Sequence, residues 1–147
     1  MFRDTYAAIY DQYVVIGSKI TVTVTPASTV TAPAIVVLNG DDDASNAVSI
    51  TGRMEQNNAI HRVLGLPSAG NNIVTLTNTF EPVEKFGIAA KDDGASATAQ
   101  GSNPTELWCY QLGIQTLDFG TTSSTFYVTV EIDYTVKFTE LITRSSD

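Results

Sequence analysis

The sequence predicts an all-β protein, an antiparallel sandwich, and three observations lead to this prediction. Residues 126–139 alternate: every even position is apolar, and every odd position from Thr129 onward is polar. The 147-residue chain is 43% apolar and only 16% charged, with many Thr, Val, Ser and Ala residues, a composition that favours strands over helices. Other alternating segments recur along the chain between turn residues, without helices long enough to serve as crossovers.

The strand predicted near the C-terminus also constrains the topology. A long strand this late in the chain has to pair with segments far back in the sequence, which suits a Greek-key sandwich. Since a strand has only two faces, its even side chains are expected to point into the sandwich. These side chains belong to Val128, Val130, Ile132, Tyr134 and Val136.

The N-terminal residues follow a different pattern. Apolar and aromatic side chains recur there at spacings of three and four, which places them on one face of a short helix or turn. They are Phe2, Tyr6, Ile9, Tyr10 and Tyr13.

The domain organisation is expected to be simple. At this length the chain can bury roughly 70% of its unfolded surface in one domain, and no internal boundary divides it. We therefore predict a single domain, residues 1–147, with a lead-in at 1–12, the sandwich at 13–141 and a tail at 142–147.

The first predicted strand begins at Tyr13 and ends at Pro26. A Gly17-Ser18 pair interrupts its alternation and predicts a bulge or bend. The apolar positions expected on one face are Val14, Ile16, Ile20, Val22 and Val24.

The middle of the chain alternates between short strands and turns. Residues 34–38 predict a second strand, which leads into an exposed loop tip at 39–43, NGDDD. Residues 51–58 are expected to form a turn of helix before a strand at 59–64, and 65–72 form a loop.

The second half of the sequence predicts two more strands before the last one. Residues 73–80 alternate and predict a strand. The segment 91–103 is small, acidic and too polar for a core, so we expect a long loop that is exposed, mobile or held by a neighbour. Residues 107–117 are extended, and 118–125 turn into the final strand.

Charge and cysteine content exclude several classes of function. Eight Lys and Arg against 16 Asp and Glu give a net charge of −8, which lacks the basic surface needed to neutralise nucleic-acid phosphates. The single Cys109 excludes an internal disulfide and is more typical of a core or interface position than of a nucleophile. No apolar stretch approaches the roughly 20 residues of a membrane span, so no membrane partner is expected.

No catalytic, cofactor-binding or metal-binding residues are predicted. His61 cannot be linked by spacing to a nucleophile, and the chain lacks a Gly-x-Ser-x-Gly elbow. The acidic runs 41–43 and 92–93 offer oxygen ligands for calcium but do not match the spacing of a calcium loop, so solvated loops are the favoured interpretation. Glu131 and Asp133 lie two apart, a separation that glycosidases can use, although their neighbours look like an ordinary outer face.

Several of these segments together resemble the capsid proteins of small circular single-stranded DNA viruses, the circovirus-like group. Residues 10–22, YDQYVVIGSKITV, look like the tyrosine-rich strand of that family with its Gly-Ser-Lys-Ile motif. Further landmarks follow in the family's order between Tyr6 and Leu141, nearly the whole chain. They are Glu55-Gln56 leading to Val63-Leu64-Gly65, Lys85-Phe86-Gly87, Asn103-Pro104 with Trp108, and the final strand ending in Val136-Lys137-Phe138-Thr139-Glu140.

The resemblance implies a viral jelly roll, eight antiparallel strands in two packed sheets. It implies a structural protein of the virion, a homo-oligomer that assembles into a small icosahedral shell around a circular single-stranded DNA genome. No catalysis and no cofactor are implied. The host receptor is left open.

The sequence departs from the family's pattern at its beginning. Such capsid proteins typically start with an Arg- and Lys-rich arm that contacts the genome, followed by a first jelly-roll strand, and neither precedes Met1 in this sequence. We therefore expect a jelly roll without its first strand in this chain and genome contact through an arm outside it. The edge of residues 126–141 is expected to be covered either by upstream sequence or by a strand donated by an adjacent subunit.

A different class of function remains open. Acidic, Thr-rich β-sandwiches also serve as secreted or surface modules that bind sugars or receptors, and a fold alone does not determine a function. A binding module would be monomeric with an exposed aromatic platform, whereas a capsid subunit would form a large particle.

Overall fold

The computed structural model describes residues 5–6, 8–44, 49–87, 97–99, 101–105, 107–118 and 123–142. Strands dominate this part of the chain, and its two named helices each span five residues. The all-β prediction is confirmed. The elements are β1 (Tyr10–Pro26), β2 (Ala34–Asp41), α1 (Ile50–Met54), β3 (Ile60–Leu64), β4 (Val74–Phe80), α2 (Pro82–Phe86), β5 (Ala97–Ala99), β6 (Cys109–Thr116) and β7 (Phe126–Leu141).

The strands form two sheets. In one sheet, β1 pairs with β4, β5 and β7. In the other, β2 lies between β3 and β6 and is antiparallel to both, so that Leu38 is opposite Ile60 on one side and Leu112 on the other. Most of these pairings join segments distant in sequence, as expected for a strand order that is not sequential.

Contacts divide the chain into two compact units. The first unit comprises residues 1–18, 80–107 and 133–147, and the second unit comprises 19–79 and 108–132. The single-domain prediction is not tested by this division, since each unit draws on distant parts of the chain.

The hydrophobic core of the second unit is made by alternating residues of β1, β2, β3 and β4. The seven residues of β4 alternate strictly between buried and exposed, as the period of two requires. Each fully buried Val or Leu contributes roughly 1.5–3 kcal/mol through removal of apolar surface from water. The buried core residues are Ile20, Val22, Val24, Ala34, Val36, Leu38, Leu64, Val74 and Leu76, with Tyr110, Leu112, Ile114 and Phe126 packed against them.

Aromatic packing joins the two ends of the chain within the first unit. The ring of Tyr6 stacks on that of Phe138 with centroids 4.9 Å apart, and Tyr10 lies 5.9 Å from the same ring. Just beyond, the backbone N–H of Ile142 donates to the carbonyl of Ile9 at 2.9 Å. Such aromatic pairs stabilise by about 0.5–1.5 kcal/mol beyond the area that they bury.

The N-terminal expectation is partly wrong. Tyr10 and Tyr13, predicted to lie on a helix or turn, belong to β1, because their neighbours pair with β5: Gln12 is opposite Ala99. Local spacing was overridden by strand pairing. Phe2 lies outside the described residues. The bend expected at Gly17-Ser18 does not end the strand, since β1 runs through both residues.

The long loop expected at 91–103 contains a strand. Its residues 97–99 form β5, which a polar sequence gave no reason to expect. Residues 91–96 and 100 lie outside the described residues. The sequence also did not predict α2, which starts with Pro82 and ends at Phe86. Gly87 caps it, and its φ of 72° is the left-handed conformation that glycine adopts without strain.

The loop tip predicted at 39–43 is also wrong in part. Residues 39–41 continue β2, and Asn39 is fully buried rather than exposed. The turn-forming residue types were overridden here because β6 pairs with this end of the strand, with Gly40 opposite Tyr110 and Asp41 opposite Cys109.

The inward orientation predicted for the even residues of β7 is wrong. Phe126 packs on the core, but Val128, Val130, Ile132 and Tyr134 are 41%, 52%, 38% and 61% exposed, and Val136 is only half-buried. The strand itself is confirmed. Alternation identifies which face of a strand is apolar, but it does not show whether another layer covers that face. With 16 residues, β7 is also twice as long as β2 or β6, which have eight each.

Candidate assembly surface and buried polar network

Buried polar side chains gather in the second unit beside α1, where β2 ends and β6 begins. Asn39 of β2 and Gln111 of β6 lie opposite each other. Asn39 is fully buried, and Gln111 is 9% exposed. Asn39 Nδ2 donates to Gln111 Oε1 at 3.3 Å and also to Gln56 Oε1. Arg53, at the last turn of α1, donates through Nη1 to Asn39 Oδ1 at 3.3 Å and to Gln111 Oε1.

The same network fixes the segments around these two strands. Gln111 Nε2 donates to the carbonyl of Asp43 at 2.7 Å. Asn58 binds Gly40 twice: its Oδ1 accepts from the Gly40 N–H at 3.1 Å, and its Nδ2 donates to the Gly40 carbonyl at 2.7 Å. Asn78 Nδ2 in turn donates to the carbonyl of Asn58 at 2.9 Å. The network therefore connects β2, β4, β6 and the segment after α1.

The chemistry of this network is structural. Its members are amides, one guanidinium and backbone groups, with neither a nucleophile nor a base among them, and they satisfy one another. We expect Asn39→Ala to lower the free energy of unfolding by about 2 kcal/mol, because it removes the hydrogen bonds of a fully buried amide to the side chains of Gln56, Gln111 and Arg53. Urea unfolding measures this loss. The control is Asn57→Ala, since Asn57 is exposed, and the free energy of unfolding of this variant should stay within about 0.5 kcal/mol of the parent value.

The sequence did not lead to a prediction of this network. A signal was present in Asn39, which continues the apolar run 34–38 at a position where an ordinary strand would place another buried residue. Because Asn and Gly favour turns, the strand was predicted to end before Asn39, and the amide was therefore expected to be exposed rather than buried.

The residues considered for catalysis or metal binding are not brought together. His61 is exposed on β3, and Cys109 is a half-buried free thiol at the start of β6. Glu131 and Asp133 are exposed on β7, and the acidic pair 92–93 lies outside the described residues. Within the part of the chain that the structure describes, no group of three or more His, Cys, Asp or Glu side chains is placed to hold a metal ion.

The surface offers apolar area instead. Within the second unit, β7 exposes Val128, Val130 and Ile132 along one face and Tyr127 on the other. An open groove of about 400 Å³ in the same unit is lined by Arg62 and Val63 of β3 together with Asn71, Val74, Thr75 and the 61% exposed Ile73. Contiguous exposed apolar side chains of this kind are typical of surfaces that bind another protein.

Among the strands that the structure describes, β7 is also an edge of its sheet. It pairs with β1, and no second strand among the described residues pairs with it. Such an edge presents a row of backbone donors and acceptors to any additional strand. We define the assembly surface as this edge of β7 together with its exposed even side chains, Val128, Val130, Ile132 and Tyr134.

None of the helices in the described ranges is long and apolar enough to cross a membrane. Comparison of the chain with protein-family models, with curated proteins and with solved structures finds no match.

Proposed function

We propose that this chain is a jelly-roll capsid protein that assembles with copies of itself into a small icosahedral shell around a circular single-stranded DNA genome. The sequence supports the proposal through the ordered landmarks between Tyr6 and Leu141 that resemble circovirus-like capsid proteins. The order of the strands in the two sheets supports it independently, and that observation carries the proposal.

An eight-stranded jelly roll is an antiparallel hairpin rolled into two sheets. Strand 1 pairs with 8, 2 with 7, 3 with 6 and 4 with 5, and rolling joins 3 to 8 and 4 to 7, so the sheet orders are 1-8-3-6 and 2-7-4-5. If β1 takes the third place and the three-residue β5 is left out, β7-β1-β4 matches 8-3-6 and β6-β2-β3 matches 7-4-5.

The same correspondence accounts for the assembly surface. Strand 1 of an eight-stranded jelly roll would lie beside β7, at the edge where no second strand pairs among the described residues. Strand 2 would lie beside β6, which pairs only with β2 in the described part of the chain. A subunit with such open places and exposed apolar side chains is suited to association with further polypeptide.

Particle size tests the proposal. Size-exclusion chromatography with light scattering, followed by negative-stain electron microscopy, is expected to show regular closed shells far larger than the 15.8 kDa chain. A stable monomer that binds glycans or a receptor fragment would overturn the proposal and favour the surface binding module.

The charge of the chain gives a further prediction. We expect residues 1–147 to bind single-stranded DNA weakly even at low salt, because a net charge of −8 repels phosphates and few cations are available to release counterions. Filter binding at several salt concentrations measures this. Tight binding that weakens steeply with salt would contradict the prediction, whereas fusing a basic arm to the N-terminus should create such binding.

A further inference from the structure

We propose that β7 is a self-complementary edge, through which a second copy of this chain pairs antiparallel with the first about a two-fold axis at Tyr134. The inference rests on the proposed self-assembly and names one of its contacts. In this contact the β7 strand of the second copy occupies the position of strand 1 in an eight-stranded jelly roll.

The backbone of β7 is suited to strand addition. The strand has 16 residues without a proline, pairs with β1, and has no second strand beside it among the described residues. Long edges without proline or a covering segment pair readily with another strand. A two-fold axis pairs the strand with its own copy in the antiparallel direction, so one patch on each subunit is sufficient.

The charges and the length of β7 together favour one register. Its polar face carries Thr129, Glu131, Asp133, Thr135 and Lys137 in that order, all exposed. Neither Glu131 nor Lys137 has an ion-pair partner among the described residues. When Tyr134 faces its own copy, Glu131 lies opposite Lys137 on both sides of the axis, and Asp133 lies opposite Thr135.

Other registers are less favourable. A shift that pairs even with odd residues sets the apolar face of one copy against the polar face of the other. An axis at residue 131 or 133 opposes two identical carboxylates, and an axis at 132 opposes Glu131 and Asp133. An axis at 135 also forms two opposite-charge pairs, Asp133 with Lys137, but it pairs only residues 129–141 of each copy, whereas an axis at 134 pairs residues 127–141.

The apolar side chains also pair in the register centred on Tyr134. Ile132 lies opposite Val136, Val130 lies opposite Phe138, and the two Tyr134 rings face each other. Aromatic and β-branched pairs of this kind are among the favourable cross-strand pairs of antiparallel sheets. The contact would thus shield side chains that are 38–61% exposed in the single chain.

Charge reversal tests the register. Glu131→Lys creates two Lys–Lys pairs and is expected to weaken self-association about tenfold, as measured by sedimentation equilibrium. The matched control is Asp133→Lys, which makes the same charge change on the same face but lies opposite Thr135, and it should change association less than about threefold. The double variant Glu131→Lys with Lys137→Glu should restore the parent affinity. A larger effect of Asp133→Lys, or no restoration, would overturn this register.

Disulfide trapping gives a second measurement. In a Cys109→Ser background, Tyr134→Cys places two thiols directly opposite each other, about 4.5–5.5 Å apart between Cβ atoms, so oxidation should link the dimer. Ile132→Cys is the control, because its two copies would lie four residues apart, about 14 Å, and should not link. Circular dichroism verifies that both variants fold.

The two proposals fail separately in these experiments. Shells in the microscope without cross-linking at position 134 would overturn the β7 contact and leave the capsid function standing. Cross-linked dimers that never form particles would support the β7 contact and overturn the capsid function. A parent protein that stays monomeric at all concentrations would overturn both.

Discussion

Val36→Asp is expected to leave no soluble folded protein, whereas Ile132→Asp is expected to fold. Val36 is fully buried in the middle of β2, opposite Arg62 on one neighbouring strand and Ile114 on the other. A carboxylate there loses its hydration, which costs several kcal/mol out of the roughly 5–15 kcal/mol that stabilises a whole domain, and an ion pair with Arg62 would offset only part of this cost. At Ile132, 38% exposed, the carboxylate reaches water, and we expect a loss of about 1 kcal/mol or less.

The soluble fraction after expression and urea unfolding of the soluble protein measure the two effects. Val130→Asp provides a second substitution on the exposed face, since Val130 is more exposed than Ile132, and should behave like Ile132→Asp. Equal loss of soluble protein at positions 36 and 132 would contradict the exposure of β7 and return its even side chains to the core.

This comparison shows how far the alternation in the sequence predicts the fold. It located β4 and most of β2, β6 and β7, and it predicted the buried positions Ile20, Val22 and Val24 of β1. Within a strand the two faces follow from backbone geometry alone, so period two is sufficient. Whether an apolar face is buried depends on what lies above it, which is a property of strand order and partners rather than of local sequence.

The candidate site was harder to predict for a related reason. The burial of Asn39 depends on β6, more than 70 residues away, and on Arg53 and Gln56 from the segment around α1. The assembly surface was only half predicted: the sequence indicated an open edge at 126–141 but assigned the exposed side chains to the core. In both places the missing information was the identity of distant neighbours.

Gly40→Ala is expected to destabilise the protein through a collision with the only tryptophan. A Cβ built on Gly40 would lie 2.6 Å from Cε2 and Nε1 of Trp108, closer than real Cβ atoms approach other heavy atoms. The strand cannot readily move away, because Gly40 is opposite Tyr110 in the sheet and both of its backbone polar groups bind Asn58. The indole ring therefore has to shift, and overpacking of this kind costs about 3 kcal/mol.

The displacement of Trp108 makes the prediction measurable in two ways. Urea unfolding should show the loss of stability, and the fluorescence emission of the folded protein should change, since Trp108 is its only source of indole fluorescence. Gly70→Ala is the matched control, because a Cβ there meets nothing within 4 Å, and it should be neutral or slightly stabilising. In a Trp108→Ala background the cost of Gly40→Ala should largely disappear, since the double-mutant cycle removes the collision itself. A Gly40→Ala variant with the parent's stability and emission spectrum would show that the ring does not pack on this strand.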